Sequence, residues 1–391
     1  MKIVQSTWVR YHHFDLAREL HQMGHLERIF TCLPWWKADK ESREQAIPRD
    51  LISCNFLMQG MRRVGRKMPF YTKKMDFALA VQETRFFSKW VARNLPECDA
   101  YIGISGSGLH AGKLAISRGA GYIMDRGSTH IRHANDVLNA EYGKWGIARE
   151  VENEWLMCNE EAETAAATLI TVPSHFVMRT FVAQGVAEEK LRVVPYGVSL
   201  REFYPVGEAS ANEFRILFVG NFSIRKGAPY LLEAFKQLQH PKKILTIVGG
   251  VADDIKGLLG NYSQENIEFI GAVPRADVKR YMSTAAVLVL PSIEEGLALV
   301  QAQALACGCP IIATPNTGSE TLFDNGKEGI IVEAMQVASI LNALELLCDD
   351  WDLRQQMSTA ALEKAKSFGG WASYANGMLA VAAEAKSIVS K

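Results

Sequence analysis

FVGNFSIRKG, Phe218 to Gly227, closes one apolar run and opens an amphipathic one. The run RILFV (Arg215 to Val219) has the length and composition of a buried strand, and it stops at Gly220. Arg225 and Lys226 follow side by side, then Gly227, then APYLLEAFKQL with a helical period. A strand, a glycine turn, a basic pair and a helix start in this order suit an anion held where the turn opens. An ordinary β–α connection with two solvated basic residues accounts for the same stretch. The rest of the chain has to separate the two.

At 391 residues the chain is long for one core, and two domains are expected. It is 48% hydrophobic and 22% charged, within the globular range. Its formal net charge of +0 gives no global field for nucleic acid, so no nucleic-acid partner is expected. No run reaches the roughly 18–20 apolar residues of a membrane span. MKIVQ is strand-like and lacks the layout of a signal peptide. The scattered cysteines, seven in number, fit buried thiols of a reducing cytoplasm better than a disulfide framework. Cys307 and Cys309 have neither a zinc spacing nor a second pair nearby.

Short apolar runs alternate with helical periodicity, the pattern of parallel β–α units and of an α/β fold. KIV, AYIGIS, AGYIMD and TLITVPS are strand candidates of the first half, with FDLARELHQMGHL as a helix. RILFVG, ILTIVGG, IEFIGAV, VLVLPS and CPIIATP restart the pattern. PYGVSLREFYPVGEASANE between them has neither period, so the boundary is expected near 197–212. The tail from Trp351 is helical. Two doubly wound sheets joined by a hinge place ligands at the strand ends, in the cleft between domains.

VLVLPSIEEGLALVQAQALACGCPIIAT, Val287 to Thr314, is the second informative stretch. A strand ends at Pro291-Ser292, two acids precede Gly296, and a helix runs on. The unpaired amides of such a helix start favour a phosphate, and Glu295 there can accept from ligand hydroxyls. Acids that only complement the helix dipole give the same pattern. Two such turns in one domain, one with a basic pair and one with an acid, suit a nucleotide-sugar.

Several stretches resemble the family-four (group one) glycosyltransferases, retaining enzymes of the GT-B fold. Gly220…Arg225-Lys226-Gly227 is similar to their G-x-L-x-x-x-K-G motif, and PSIEEGLALVQAQALACGCPII to their PS-x-x-E-G-F-G-L signature. LRVVPYGVSLREFYP resembles their domain crossover, and FIGAVPRADVKRYMSTAAVLVLPS the segment around the nucleotide base. The match is strong over residues 165–345 and weak over the N-terminal third.

The resemblance implies two Rossmann-like domains facing each other across a cleft: 1–200 on the acceptor side and 201–370 on the nucleotide-sugar side. A terminal helix, 371–391, packs back on the first domain. Arg225 and Lys226, exposed in the free cleft, would neutralise the departing diphosphate. Glu295 would hold a donor-sugar hydroxyl, and amides of Gly296, Leu297, Ala298 and Leu299 would line sugar and phosphates. Gly220 and Asn221 would border the phosphates, and the base would lie on the turn Gly271, Val273, Pro274. Neither a metal nor another cofactor is implied, and the sequence shows no acid cluster at a metal-ligand spacing.

Departures from the family pattern limit what carries over. Gln303 stands where a ribose-binding glutamate is usual, and its amide can still exchange hydrogen bonds with hydroxyls. Asn221 replaces a frequent arginine, and Leu297-Ala298-Leu299 replaces F-G-L. In MDRGSTHIRH, Asp125 takes the place of a functional histidine, with Arg126 and His130 beside it. Trp8, His12 and His13 follow the first strand and complete the acceptor-side candidates. A turn closed by Asp125, and a core tryptophan, explain these residues as well.

MRRVGRKMPFYTKKM, Met61 to Met75, interleaves six basic residues with apolar ones and holds no acid. It suits an anionic membrane surface or a lipid-phosphate acceptor, a glycan or lipid-linked molecule being the expected acceptor, and equally a solvated loop. The expected protein is thus a cytoplasmic glycosyltransferase, peripheral to the membrane through this segment. Rival readings are a silent nucleotide-sugar-binding module and a synthase or phosphorylase acting on a small free sugar.

Overall fold

The computed structural model describes residues 1–149 and 151–390. The first sheet comprises β1 (Ile3–Thr7), β2 (Leu26–Thr31), β3 (Ile52–Cys54), β4 (Ala100–Ile104), β5 (Gly121–Asp125), β6 (Leu169–Val172) and β7 (Leu191–Val193). The second comprises β8 (Phe214–Val219), β9 (Lys243–Val248), β10 (Ile267–Gly271), β11 (Val287–Leu290), β12 (Ile311–Ala313) and β13 (Gly329–Ile331). Their orders are β3-β2-β1-β4-β5-β6-β7 and β10-β9-β8-β11-β12-β13. The strand pairs are parallel, with helices on both faces, so central strands such as VLVL of β11 are buried throughout.

Chain order reverses between β1 and β4 in one sheet and between β8 and β11 in the other. Crevices for ligands open at these switch points. The stretches after β8 and β11 are the two singled out in the sequence.

Four strands, β2, β3, β7 and β13, escape the apolar-run pattern. LERIFT of β2 carries two charged residues, and the other three are edge strands of three residues each. Such short edges give no period to detect.

Residues 194–213 cross from β7 to β8, and Val198 and Phe203 of this crossing join the second core. The chain returns in the helix Gly370–Val389, whose Trp371, Tyr374, Met378 and Ala382 share a core with Ile3, Phe14 and Ile102. Gly121 of β5 permits this approach, because a Cβ there would lie 2.7 Å from the Ala385 backbone carbon. Among the described residues no helix is long and apolar enough to cross a membrane.

Candidate active site

Gly227 begins the helix Ala228–Gln237 in the left-handed region, at φ 72°. A Cβ at that position would stand 1.9 Å from the carbonyl oxygen of Pro291, so only glycine lets the two turns touch. The Ile293 amide donates to the Arg225 carbonyl at 2.9 Å. The turns after β8 and β11 are therefore stitched into one surface.

Both expected cations lie on it, but neither is free. Arg225 Nη1 donates to the carbonyl oxygen of Glu294 at 2.9 Å and to its Oε2 at 3.0 Å. Lys226 Nζ is bonded to Glu295 Oε1, and Ser292 Oγ donates to Glu295 Oε2 at 3.1 Å. The Lys226 side chain is only 15% exposed, which corrects the expectation of two open cations. The adjacent glutamates, placed directly opposite, take them up. A diphosphate entering here would meet cations already held in place.

Glu294 is the deeper acid and joins the domains. Its Oε1 accepts from the Thr129 hydroxyl at 2.7 Å and from the Thr129 amide at 3.3 Å. Burial opposes its ionisation, yet Arg225 and the Thr129 hydroxyl outweigh burial and hold the carboxyl below its usual range.

The two helix starts differ in what they offer an anion. At Ala228–Gln237 the Ala228 amide already donates to Ser223, and Pro229 has no N–H. At Leu299–Ala306 no side chain caps the helix. Among the described residues the amides of Gly296, Leu297, Leu299 and Val300 find no hydrogen-bond partner, whereas Ala298 donates to Thr317 at 3.1 Å. Ala298 thus drops out of the expected row of donors, and the second helix carries the anion-binding end.

Gly220 and Gly271 both adopt positive φ, 140° and 78°. Asn221 is exposed beside Gly250, Val273 is half-buried against the core, and Pro274 is exposed. Gln303 is half-buried on the Leu299–Ala306 helix, and its amide makes no hydrogen bond among the described residues. These residues rim the same end of the second sheet.

Across the cleft, Asp125 ends β5 fully buried. Its Oδ2 pairs with His12 Nε2 at 2.7 Å, and its Oδ1 accepts from the Thr171 hydroxyl at 2.7 Å. Burial pushes its pKa up, but His12, His13 and Thr171 together bring it below the ordinary value. His13 Nε2 lies 3.3 Å from the same oxygen, and neither ring nitrogen of His13 has a hydrogen bond. Burial and neighbouring His12 press its pKa down to about 3, against the pull of Asp125, so His13 is neutral. The donor atoms of His12, His13 and Asp125 lie within 4.8 Å of one another, a grouping able to hold a cation. In the sequence His12 and His13 are adjacent, but Asp125 lies more than a hundred positions away, so the three show no ligand spacing.

Arg126 serves the loop rather than a ligand. Its guanidinium donates to the Thr129 carbonyl at 3.0 and 2.8 Å, to Ser105 Oγ at 3.0 Å and to Glu160 Oε2 at 2.6 Å. His130 caps the helix Ile131–Lys144 through Nδ1, with its ring on Phe181, and lines a separate surface cavity. That placement removes it from the acceptor-side candidates. Trp8 stacks near Phe87, ring centres 4.9 Å apart, and faces the cavity between the domains.

The basic segment is less basic than it reads. Arg62 and Arg66 both grip Asp76, and Arg62 also reaches Glu83. Those acids lie just beyond Met75, on the next helix. Beside its exposed Arg63, Arg66, Lys67, Lys73 and Lys74, the segment exposes apolar Met61, Val64, Met68 and Phe70, the last 67% accessible, with Leu57 just before it.

Thr129, Glu294 and Glu160 form the part that sequence reasoning left out. The acid pair at 294–295 was the only signal for any of them, and it was read for Glu295 alone.

Residues 201–364 match the family of glycosyl transferases group 1. A D-inositol 3-phosphate glycosyltransferase of Arthrobacter sp. (strain FB24) is 30% identical over 199 residues, 46% of this chain and 47% of the relative. The chain therefore spans about half the length of such curated relatives. Among solved structures, the sucrose-phosphate synthase of Thermosynechococcus elongatus superposes with a TM-score of 0.70 at 19% identity, covering 98% of each chain. Anabaena HepE in complex with UDP-glucose gives 0.67 at 14% identity, covering 98% of this chain and 100% of that one. The C-terminal domain thus belongs to glycosyl transferases group 1, and the chain as a whole has the GT-B fold.

Proposed function

We propose that this chain moves a sugar from a nucleoside-diphosphate sugar to an acceptor hydroxyl with retention of configuration, in the making of a cell-surface glycan or glycolipid. One observation carries the reading: Arg225, Lys226 and the free amides of the Leu299–Ala306 helix start converge on one switch point, with Glu295 beside them. Cations and amides there stabilise charge building on the leaving diphosphate, while Glu295 accepts from a sugar hydroxyl. The leaving phosphate oxygen then takes the acceptor proton on the same face, with no metal or other cofactor in the scheme. The exposed apolar stripe of 57–70, with Arg63 and Lys67 beside it, supports peripheral contact with an anionic membrane that carries the acceptor.

Incubation with UDP-glucose and other nucleotide-sugars, with release of nucleoside diphosphate as the readout, tests the enzyme reading. A second reading, a silent binding module, is favoured by the pairing of both cations with glutamates and by the uncharged Gln303. Donor binding by thermal shift without any release would decide for it.

A further inference from the structure

Between the domains lies a cavity of about 650 Å³, reached by Arg225 and Glu294 from one side and by Trp8, Arg126 and Glu160 from the other. Glu160 sits on the helix Glu154–Ala166, 4% exposed. Its Oε2 takes the Arg126 hydrogen bond, but its Oε1, buried at the cavity wall, has no hydrogen-bond partner. A buried carboxylate oxygen without a donor is costly, and in a native protein it calls for an occupant.

The walls limit what that occupant is. Arg62 is matched by Asp76 and Glu83, Arg126 by Glu160, and Arg225 by Glu294. Arg149 is turned to the oxygens of Asn135 and Asn139. Glu152, on the same wall, has no ion pair among the described residues. With Glu152 on the same wall as Arg149, the cavity carries no excess of positive charge, so a phosphate on the acceptor would gain no free cation beyond those facing the donor and would meet Glu152 and Glu160. An uncharged hydroxylated ring brings O–H donors to Glu160 and apolar C–H faces to the aromatic rings of Trp8 and Tyr11.

We infer that this cavity receives the acceptor as an uncharged sugar unit, one hydroxyl of which donates to Glu160 Oε1, and that it rejects a phosphorylated sugar or polyol. The inference rests on the transferase reading above. It separates this chain from relatives whose name specifies inositol 3-phosphate as acceptor.

The test uses the full chain with UDP-glucose, or whichever nucleotide-sugar releases its diphosphate. Release is compared with methyl glycosides and neutral disaccharides against inositol phosphate and fructose 6-phosphate. Neutral sugars should speed release, and Glu160→Gln should raise the acceptor KM about tenfold while the donor KM moves far less. Faster release with the phosphorylated acceptors overturns the inference, as does a working donor that no neutral sugar accelerates. An equal rise of both KM values would assign Glu160 to holding Arg126 alone and equally overturn it. If no nucleotide-sugar turns over or shifts the melting temperature, the transferase reading itself falls, and the acceptor assignment with it.

Discussion

Thr129, on the loop after β5, gives both its hydroxyl and its amide to Glu294, on the loop after β11. The bond crosses from one domain to the other and sits beside the Arg225 pair. Removing the acid leaves the half-buried Arg225 without its carboxylate, though still bonded to the residue-294 carbonyl, and the buried Thr129 hydroxyl without an acceptor. Glu294→Ala should cost about 1–3 kcal/mol of stability, with Thr129→Val costing less, as read from chemical unfolding.

The same acid sets a pH dependence. The folded pKa of Glu294 is depressed, as is that of Asp125, so the stability each contributes is complete above the ordinary carboxylate range of about 4. It is lost as pH falls through the folded values. Thermal midpoints should hold from pH 7 to about pH 5 and drop below about pH 4, less steeply in Glu294→Gln. An acid limb of equal slope in that variant would remove Glu294 from the account.

Gly296 has a separate part. A Cβ there would come within 1.9 Å of the Gly127 carbonyl oxygen, and Ser174 Oγ already donates to the Gly296 carbonyl at 2.7 Å. Gly296→Ala should hold the domains apart by a fraction of the cleft width while the second domain folds normally. Turnover should fall by about two orders of magnitude with donor affinity little changed, since a displacement of about 1 Å suffices for that.

Arg225→Ala and Lys226→Ala should each lower turnover by about two to three orders of magnitude, the scale of losing one donor to a developing anion. Each also leaves a glutamate facing the donor phosphates, so donor affinity should fall as well. Wild-type rates in both variants would detach the basic pair from the chemistry.

Glu295 and Gln303 should separate cleanly. Glu295→Gln removes a charged acceptor that Lys226 and Ser292 hold in position, and turnover should drop by about one to two orders of magnitude. Gln303→Glu should change only donor affinity, by a few-fold at most. Equal effects would show that sugar and ribose are not divided between them.

For the membrane, the apolar stripe matters more than the charge count. Phe70→Ser with Met61→Ser should weaken binding to vesicles containing acidic lipid at every salt concentration. Arg63→Gln with Lys67→Gln should weaken it only at low salt, at about 1 kcal/mol per cation. Indifference of the wild type to such vesicles at low salt would end the idea.

The architecture was legible because its central strands are apolar on both faces and its two ligand turns carry glycine at fixed places. Gly227 shows why: its backbone conformation and its closeness to Pro291 both demand the residue type. What was not legible is contact between distant segments. Nothing around Asp125 announces His12, nothing in the Met61–Met75 run announces Asp76, and nothing in the pair announces that Glu294 reaches Thr129 across the cleft while Glu295 bonds within its own domain. In the first half, β2 and the three-residue edge β3 gave no period, so that domain was read least well.

One more consequence lies in the two glycines where the chain leaves the first domain and returns to it. A Cβ on Gly197 would stand 2.4 Å from the Gly370 backbone, so the outgoing and returning segments cross in direct contact. The molecule is built like scissors with a single rivet: both covalent links pass through one point, and turning about it stretches neither. Beside the rivet stands Tyr196, whose ring lies 4.3 Å from that of His12. The crossing point thus lies one aromatic ring away from the His12–Asp125 pair, so the place where the chain changes domains and the buried acid of the first domain share one packed cluster.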